Sequence, residues 1–363
     1  MSEIKTDILI IGGGIAGCIA AISLVGDYQV TLIDKLAEPQ ERIGESLAPA
    51  AQRILKELDL LEDLETKMDA LYLNNLGMQS FWGRSQVQIV DHLRNPDGFV
   101  KSLDRKAFEA FLRKAAEERG VHCIWDSKLY KSDYDVAWKV QIKPNDSNSK
   151  ALHISASFVI DASGRQSHFA RSLSIKRQVE DKLVACWISL PNTKENTMST
   201  ISASENGWWY SAVVPNNKRV IAFHTDSDLI DKNELKTLEA LLVLARQNQE
   251  ITDLLEEDKA LIKFHGTVAA NSTRLEQVAG QHWAAIGDAA VSFDPLSSQG
   301  MFNAMASAMQ LSALIRQSEL TGDLEKNYTH QINQIWEHYL NHRRLFYQAE
   351  TRWQNAEFWK RRG

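Results

Sequence analysis

A glycine-rich turn between two apolar runs constrains the fold of this chain more than any other feature. Residues 8–11 (Ile-Leu-Ile-Ile) are typical of a strand that is buried on both faces. Three spaced glycines follow at once, then a helix-like segment, and then a second apolar run that ends at Asp34. This order predicts a strand–helix–strand unit with the pattern G-x-G-x-x-G, which is typical of a doubly wound α/β sheet.

The turn has physical requirements that point to a dinucleotide ligand. Gly12 permits the tight turn, Gly14 lets the backbone approach a pyrophosphate, and Gly17 lets the helix pack against the strand. The N-terminus of the helix offers free N–H groups to phosphates, and Asp34 can accept hydrogen bonds from ribose hydroxyls. The neighbouring residues that we expect at the same ligand are Ile15, Ala16 and Lys35.

Composition limits the other possibilities. The chain has 363 residues and a net charge of −6, which argues against a protein that works by neutralising nucleic-acid phosphates. Its three cysteines, Cys18, Cys123 and Cys186, lie far apart and predict neither a disulfide framework nor a metal site. We find no apolar run long enough for a membrane span and no signal-peptide pattern, and we therefore expect a cytoplasmic protein.

Further motifs lie far along the chain. Asp104 and Arg105 precede a segment with apolar residues at helical spacing, and residues 161–164 (Asp-Ala-Ser-Gly) end a strand-like run. Another apolar run ends at Gly287 and Asp288, and an Asp-Pro turn and a helix rich in small residues follow it. The chain has only one G-x-G-x-x-G pattern, so we expect no second nucleotide domain.

This order of motifs resembles the aromatic-hydroxylase class of FAD proteins, which have a glutathione-reductase-type Rossmann domain. The resemblance implies that FAD is the cofactor. It implies that Arg105 contacts the pyrophosphate region and that Asp288 binds the ribityl hydroxyls. It also places Pro295, Gly300 and Met301 against the isoalloxazine, where the N-terminus of a helix faces the flavin.

Two stretches narrow the resemblance to flavin-dependent halogenases and their relatives. The Gly-Glu-Ser segment that contains Glu45 and Ser46 is similar to one that borders the flavin in that group, and we expect Arg42 beside it. Residues 207–215 (Gly-Trp-Trp-Tyr-Ser-Ala-Val-Val-Pro) lie where halogenases carry W-x-W-x-I-P. The sequence departs from that motif because its two tryptophans are adjacent and its proline lies further on.

A missing lysine makes a tryptophan-type halogenase the alternative hypothesis. Halogenases need a lysine beside the substrate, and the corresponding stretch, residues 72–83, contains none. Lys67 is nearby, but its amphipathic helical stretch predicts a solvated side chain. A third hypothesis is an FAD-binding maturation or assembly factor that acts by binding and needs no turnover.

The whole pattern, including residues 294–301 (Asp-Pro-Leu-Ser-Ser-Gln-Gly-Met), most resembles the flavoprotein modifying enzymes that help to form tryptophylquinone cofactors. That resemblance implies an FAD-dependent monooxygenase that hydroxylates a tryptophan side chain of a precursor protein during cysteine tryptophylquinone formation. Its partners would be the precursor of a quinone-cofactor amino-acid oxidase, dioxygen and an external reductant, with no nucleic acid and no membrane. We assign no catalytic residue, because no acid–base or nucleophile constellation is recognisable.

The predicted architecture is α/β with three parts. A Rossmann-type domain binds FAD, an inserted mixed or antiparallel sheet covers the isoalloxazine, and C-terminal helices complete the pocket. The FAD-binding domain would comprise residues 1–75, 100–175 and 265–325, the inserted sheet 76–99 and 176–264, and the C-terminal helices 326–363.

Aromatic residues mark the expected substrate pocket and the end of the chain. The side chains that we expect near the substrate are those of Trp82, Trp208, Trp209 and Tyr210. Residues 326–363 combine aromatic residues at helical spacing with interleaved basic ones. We favour a helix pair that closes the pocket, and a docking surface for a precursor protein is the second interpretation.

Overall fold

The N-terminal strand–helix–strand unit forms as the glycine pattern predicts. The computed structural model describes residues 3–66, 71–92, 95–146, 150–230, 235–318 and 323–363, so Lys67 lies outside the described residues. The strands, numbered in chain order, are β1 (Ile4–Ile11), β2 (Val30–Ile33), β3 (Ser46–Leu47), β4 (Tyr72–Asn75), β5 (Gly77–Phe81), β6 (Gln88–Asp91), β7 (Val100–Leu103), β8 (His122–Ile124), β9 (Ser127–Tyr134), β10 (Trp138–Pro144), β11 (Leu152–Asp161), β12 (Arg177–Val179), β13 (Leu183–Pro191), β14 (Ser199–Ser204), β15 (Gly207–Val214), β16 (Lys218–Asp226), β17 (Lys263–Ala269), β18 (Thr273–Leu275), β19 (Ala279–Gly280), β20 (Trp283–Ala285) and β21 (Val291–Ser292).

The helices come mostly from segments that carry apolar residues at helical spacing. They are α1 (Ile15–Leu24), α2 (Ala51–Glu57), α3 (Leu61–Thr66), α4 (Arg105–Glu118), α5 (His168–Ser172), α6 (Leu238–Ala245), α7 (Gln249–Thr252), α8 (Gly300–Ser318), α9 (Asp323–Gln348) and α10 (Glu357–Lys360). The side chain of Asp104 caps α4 by accepting a hydrogen bond from the Ala107 N–H at 3.0 Å.

The largest sheet in the described ranges has the N-terminal unit at its centre. Its order is β19-β20-β11-β1-β2-β8, and β1 pairs in parallel with both β11 and β2. Strands β10 and β9 extend from β11 by antiparallel pairing, so the sheet is mixed. Residues 8–11 of β1 are fully buried, as expected for a central strand of such a sheet.

Close backbone approaches require two glycines of the turn. A methyl group added at Gly12, which has φ +115°, would lie 2.3 Å from the carbonyl oxygen of Ala162 at the end of β11. A methyl group added at Gly17 would lie 1.8 Å from the carbonyl oxygen of Gly12. No larger side chain fits at either position without moving α1 away from the sheet.

A second sheet, which we call the roof sheet, runs in the order β17-β13-β16-β15-β14-β5-β6. Strands β15 and β16 form a hairpin through a three-residue loop, residues 215–217, in which Asn216 and Asn217 have φ values of 63° and 53° that asparagine tolerates. One face of the roof sheet packs against α6 and α7. Strand β17 crosses the boundary that was predicted between residues 264 and 265. It pairs with β13, so the whole strand belongs to the roof sheet.

The C-terminal segment packs onto the roof sheet. The buried Arg362 guanidinium donates to both carboxylate oxygens of the buried Asp226 at 2.5 and 3.0 Å, and the Trp359 Nε1–H donates to the Ser204 carbonyl at 3.0 Å. The aromatic residues of this segment therefore pack largely inside the fold. This packing favours the interpretation in which the C-terminal helices close the pocket. The predicted α/β class, with an added sheet and C-terminal helices, is confirmed. In the described ranges no helix is long and apolar enough to cross a membrane.

Candidate active site

A cavity of about 510 Å³ lies between the roof sheet and the carboxyl ends of β1, β2 and β11, where ligands bind in open α/β sheets. The predicted site residues that line it are Gly12, Gly14, Ile15, Ala16, Asp34, Lys35, Arg42, Glu45, Ser46, Arg105, Trp208, Tyr210, Asp288, Pro295, Gly300 and Met301. The predicted site residues that do not line it are Gly17, Trp82 and Trp209. The structure thus brings together motifs that lie almost 290 positions apart in the chain.

One end of the cavity lies at the N-terminus of α1. A methyl group added at Gly14 would meet no atom within 4 Å, so the backbone here faces open space. Asp34 lies beside this turn, and its carboxylate accepts hydrogen bonds from the Gly13 N–H at 2.6 Å and the Leu36 N–H at 2.7 Å. The turn therefore leaves open space at the helix N-terminus, where a phosphate can bind, beside a fixed carboxylate.

Arg113 on α4 holds this turn, although it is not among the predicted site residues. Its Nε–H donates to the Gly13 carbonyl and one Nη–H donates to the Leu36 carbonyl, both at 2.9 Å. A second Nη lies 3.2 Å from the Asp34 carboxylate, and the guanidinium stacks on Trp125 at 4.3 Å. Buried at 6% exposure, Arg113 joins the ends of β1 and β2 to α4.

Glu109, one helical turn earlier, is a second residue that was missed. Its buried carboxylate lies 2.8 Å from Arg105 Nε and 3.5 Å from Arg42 Nη. Arg105 also donates to the Gly44 carbonyl at 2.8 Å. Because residues 105, 109 and 113 are four apart, they share one face of α4, and this spacing is a signal that could have found them.

The N-terminus of helix α8 also lies at the cavity. Pro295 and Gly300 line the cavity, so the N-terminus of this 19-residue helix and its positive dipole end face it. Asp288 lies beside them, with its carboxylate 3.6 Å from the Arg165 Nε and 43% of its side chain exposed. Gly287 has φ +55° and donates its N–H to the Ser307 hydroxyl, which fixes the turn before Asp288.

The roof sheet supplies an aromatic wall to the cavity. The alternation of side chains along β15 decides which of the expected pocket residues belong to that wall. Trp208 and Tyr210 point to the cavity, whereas Trp209 points to the opposite face, packs against Phe223 with ring centroids 4.6 Å apart and is 1% exposed. Successive side chains of a strand point to opposite faces, so two adjacent tryptophans could not both face the cavity. Trp82 packs edge-on behind Trp208, with ring centroids 6.3 Å apart.

Glu45 links the Gly-Glu-Ser loop to the roof sheet. It is buried, and its carboxyl group is hydrogen-bonded to the Tyr210 hydroxyl and accepts the Gly44 N–H at 3.0 Å. Burial raises the pKa of Glu45 above its usual range, and its hydrogen bonds oppose that shift. Burial, together with the neighbouring Glu45, raises the pKa of the Tyr210 hydroxyl well above 10, so Tyr210 remains a neutral hydrogen-bond donor.

Comparison with known proteins identifies the family. The FAD binding domain family matches residues 5–334, which is most of the chain. The chain belongs to the FAD binding domain family. FAD is its cofactor, and it is an FAD-dependent oxidoreductase.

One relative of this chain is LodB of Marinomonas mediterranea, which is named as an FAD-dependent oxidoreductase. LodB is 30% identical over 362 residues, which cover 98% of this chain and 96% of LodB. Tryptophan 2-halogenase of Chondromyces crocatus is 24% identical over 346 residues, and the match covers 88% of this chain but 63% of the halogenase.

Solved structures of flavin enzymes share the fold. The flavin-dependent halogenase CmlS has a TM-score of 0.83 at 22% identity, covering 100% of this chain and 68% of CmlS. The peptidyl tryptophan dihydroxylase QhpG, described as essential for tryptophylquinone cofactor biogenesis, has a TM-score of 0.79 at 22% identity. That match covers 99% of this chain and 78% of QhpG. At 22% identity, these two similarities establish a shared fold and nothing further.

The residues of the cavity fit FAD. The open space at Gly14 suits a pyrophosphate, and the arginines 42 and 105 and the N-terminus of α8 line the same cavity. The cavity thus combines a phosphate site at Gly14 with the aromatic wall of Trp208 and Tyr210, as a ligand with a pyrophosphate and a flat ring system requires.

Replacement of Glu45 by Gln should change how stability depends on pH. The folded-state pKa of Glu45 is raised, so its contribution to stability is present below the ordinary glutamate pKa of about 4.3 and is lost as pH rises through the folded-state pKa. Glu45→Gln removes this loss, and the free energy of unfolding of the variant relative to wild type should therefore increase with pH. Urea titrations of the FAD-free proteins between about pH 4 and pH 7 measure this difference.

A glutamate on the surface of α4 provides the control for that comparison. Glu118→Gln, at a side chain that is 62% exposed and pairs with Lys114, should give a difference that stays nearly flat. If the difference in free energy of unfolding between Glu45→Gln and wild type also stayed constant with pH, the raised pKa of buried Glu45 would be contradicted.

Proposed function

We propose that the chain is an FAD-dependent monooxygenase that hydroxylates a tryptophan side chain of a precursor protein during formation of a cysteine tryptophylquinone cofactor. The observation that carries the proposal is the aromatic wall of Trp208 and Tyr210, which lines the same cavity as the N-terminus of α8. A flat wall of this kind suits an indole ring held against a flavin. The near full-length similarity to LodB and the fold shared with QhpG, a peptidyl tryptophan dihydroxylase, support it.

The protein's own residues would bind, orient and exclude water. Bound FAD, once reduced by an external reductant, supplies the activation of dioxygen. Arg42, Arg105, Asp34 and the turn at Gly14 would hold the dinucleotide, while Asp288 would bind the ribityl chain. The N-terminus of α8 would favour negative charge at the nearest flavin edge.

A halogenase is the second candidate, because several relatives, including tryptophan 2-halogenase, carry that activity in their names. The placement of lysines weighs against it. In the described part of the chain the lysines that line the cavity are Lys35 and Lys128, and both lie beside Asp34 and not on the roof sheet that carries the aromatic wall. Lys35 follows Asp34 directly, and Ser127, next to Lys128, donates its N–H to the Asp34 carbonyl at 2.9 Å.

A comparison of substrates tests the proposal. The FAD-loaded, reduced enzyme is mixed with air and either a tryptophan-containing precursor protein or free tryptophan, each with and without chloride. We expect oxygen addition to the protein-bound tryptophan, independent of chloride, with mass spectrometry as the readout. A halogenated product would support the second candidate, and a precursor that is bound but unchanged would support a non-catalytic maturation factor.

A further inference from the structure

A histidine in the aromatic wall has hydrogen-bonding capacity that the fold does not use. His224 lies on β16 directly opposite Trp208 in the register of the roof sheet, and its ring lines the cavity. The side chain is buried, with 2% exposure. Its polar neighbour is the Trp208 backbone, and Nδ1 has no hydrogen bond of acceptable geometry within the described ranges. Because Nδ1 is enclosed, the nitrogen that can meet a ligand in the cavity is Nε2, which has no hydrogen bond to a described residue.

The neighbouring rings hold this histidine in one orientation. His224 stacks on Trp208, with ring centroids 3.6 Å apart and an interplanar angle of 6°. The Trp208 Nε1–H donates to the Tyr347 hydroxyl at 3.1 Å, and Tyr347 donates to Asp294 at 2.7 Å. The indole N–H of Trp208 is therefore already used, and of the two stacked rings only His224 has free polar capacity.

The ring stays neutral at physiological pH. Burial lowers the pKa of His224 to about 3, so the imidazole keeps one donor nitrogen and one acceptor nitrogen. At that pKa the group is a poor proton carrier, but it can accept a hydrogen bond over the whole physiological range.

We propose that His224 is a positioning residue that accepts a hydrogen bond from the N–H of the substrate's aromatic ring and fixes which edge of that ring faces the flavin. The inference rests on the proposed function, because it takes the substrate to be an indole. It goes beyond that function by naming the group that recognises the indole nitrogen.

Binding measurements on the oxidised FAD-loaded protein test this inference without turnover. The probes are N-acetyltryptophan amide and its N1-methyl analogue, which lacks the indole N–H. Wild type should bind the unmethylated probe about tenfold more tightly, since the methylated one leaves the acceptor unpaired. His224→Phe, which keeps a flat ring but no nitrogen, should lose this preference, and His224→Gln should restore part of it.

His265 provides a matched control on the same sheet. It stacks on Trp187, with centroids 3.7 Å apart and an interplanar angle of 2°, but it does not line the cavity. His265→Phe should keep the wild-type preference. Equal binding of both probes by wild type, binding of neither, or an unchanged preference in His224→Phe would overturn the inference. Loss of oxygen insertion with an intact preference would instead overturn the proposed function alone.

Discussion

Gly14→Ala is expected to keep the fold and to weaken FAD binding by about tenfold to a hundredfold. A methyl group at this position meets no protein atom within 4 Å, and Gly14 has an ordinary φ of −84°. The same methyl group would occupy the space that a pyrophosphate needs, and overpacking of that size costs about 1–3 kcal/mol. Fluorescence titration of the FAD-free protein with FAD measures the affinity.

The control for this prediction is another unhindered glycine on the same helix–loop segment. Gly26 lies just after α1, is exposed and also has no atom within 4 Å of an added methyl group. Gly26→Ala should bind FAD as wild type does. Thermal unfolding of the FAD-free Gly14→Ala protein should stay near wild type, since an alanine at the helix N-cap costs at most about 1 kcal/mol. Unchanged FAD affinity in Gly14→Ala would contradict the placement of the pyrophosphate.

Arg113→Met is expected to lower the free energy of unfolding by about 3 kcal/mol and to weaken FAD binding as well. The substitution removes one partner of a largely buried ion pair with Asp34 and leaves the carbonyls of Gly13 and Leu36 without this donor. Methionine keeps the helix propensity and much of the side-chain length, so the loss reports the polar contacts. Urea unfolding of the FAD-free protein measures the stability effect.

The adjacent residue on α4 gives a matched control. Lys114 is 74% exposed and pairs with Glu118 at 3.4 Å on the surface, where such pairs contribute roughly 0.5 kcal/mol or less. Lys114→Met should therefore have nearly wild-type stability and FAD affinity. Similar losses in both variants would mean that the role assigned to Arg113 is wrong.

The glycine-rich turn, the helix cap and the hairpin could be predicted from the sequence, because each depends on a backbone requirement that particular residue types meet. Gly12 and Gly17 meet backbone atoms at distances that exclude a side chain, and Asp104 caps the helix that it precedes. The hairpin at Asn216 likewise follows from a short asparagine-containing turn between strand-like runs.

The residues that were missed depend on how distant segments meet. Arg113 contacts residues 77 and 100 positions away and Glu109 contacts Arg42, which is 67 positions away, so no local pattern reveals those partners. His224 was missed because its role depends on the pairing of β15 with β16. The pocket role predicted for Trp209 ignored strand alternation, which the sequence did contain.

The central claim is that this chain inserts oxygen from dioxygen into a protein-bound tryptophan. The most direct measurement is mass spectrometry of the precursor protein after a single turnover with reduced, FAD-loaded enzyme and isotopically labelled dioxygen. We predict that the label appears on one tryptophan indole of the precursor and is absent when the enzyme is omitted. A tryptophan that gains oxygen from water, gains halogen, or remains unchanged under conditions in which the flavin is reoxidised would contradict the claim.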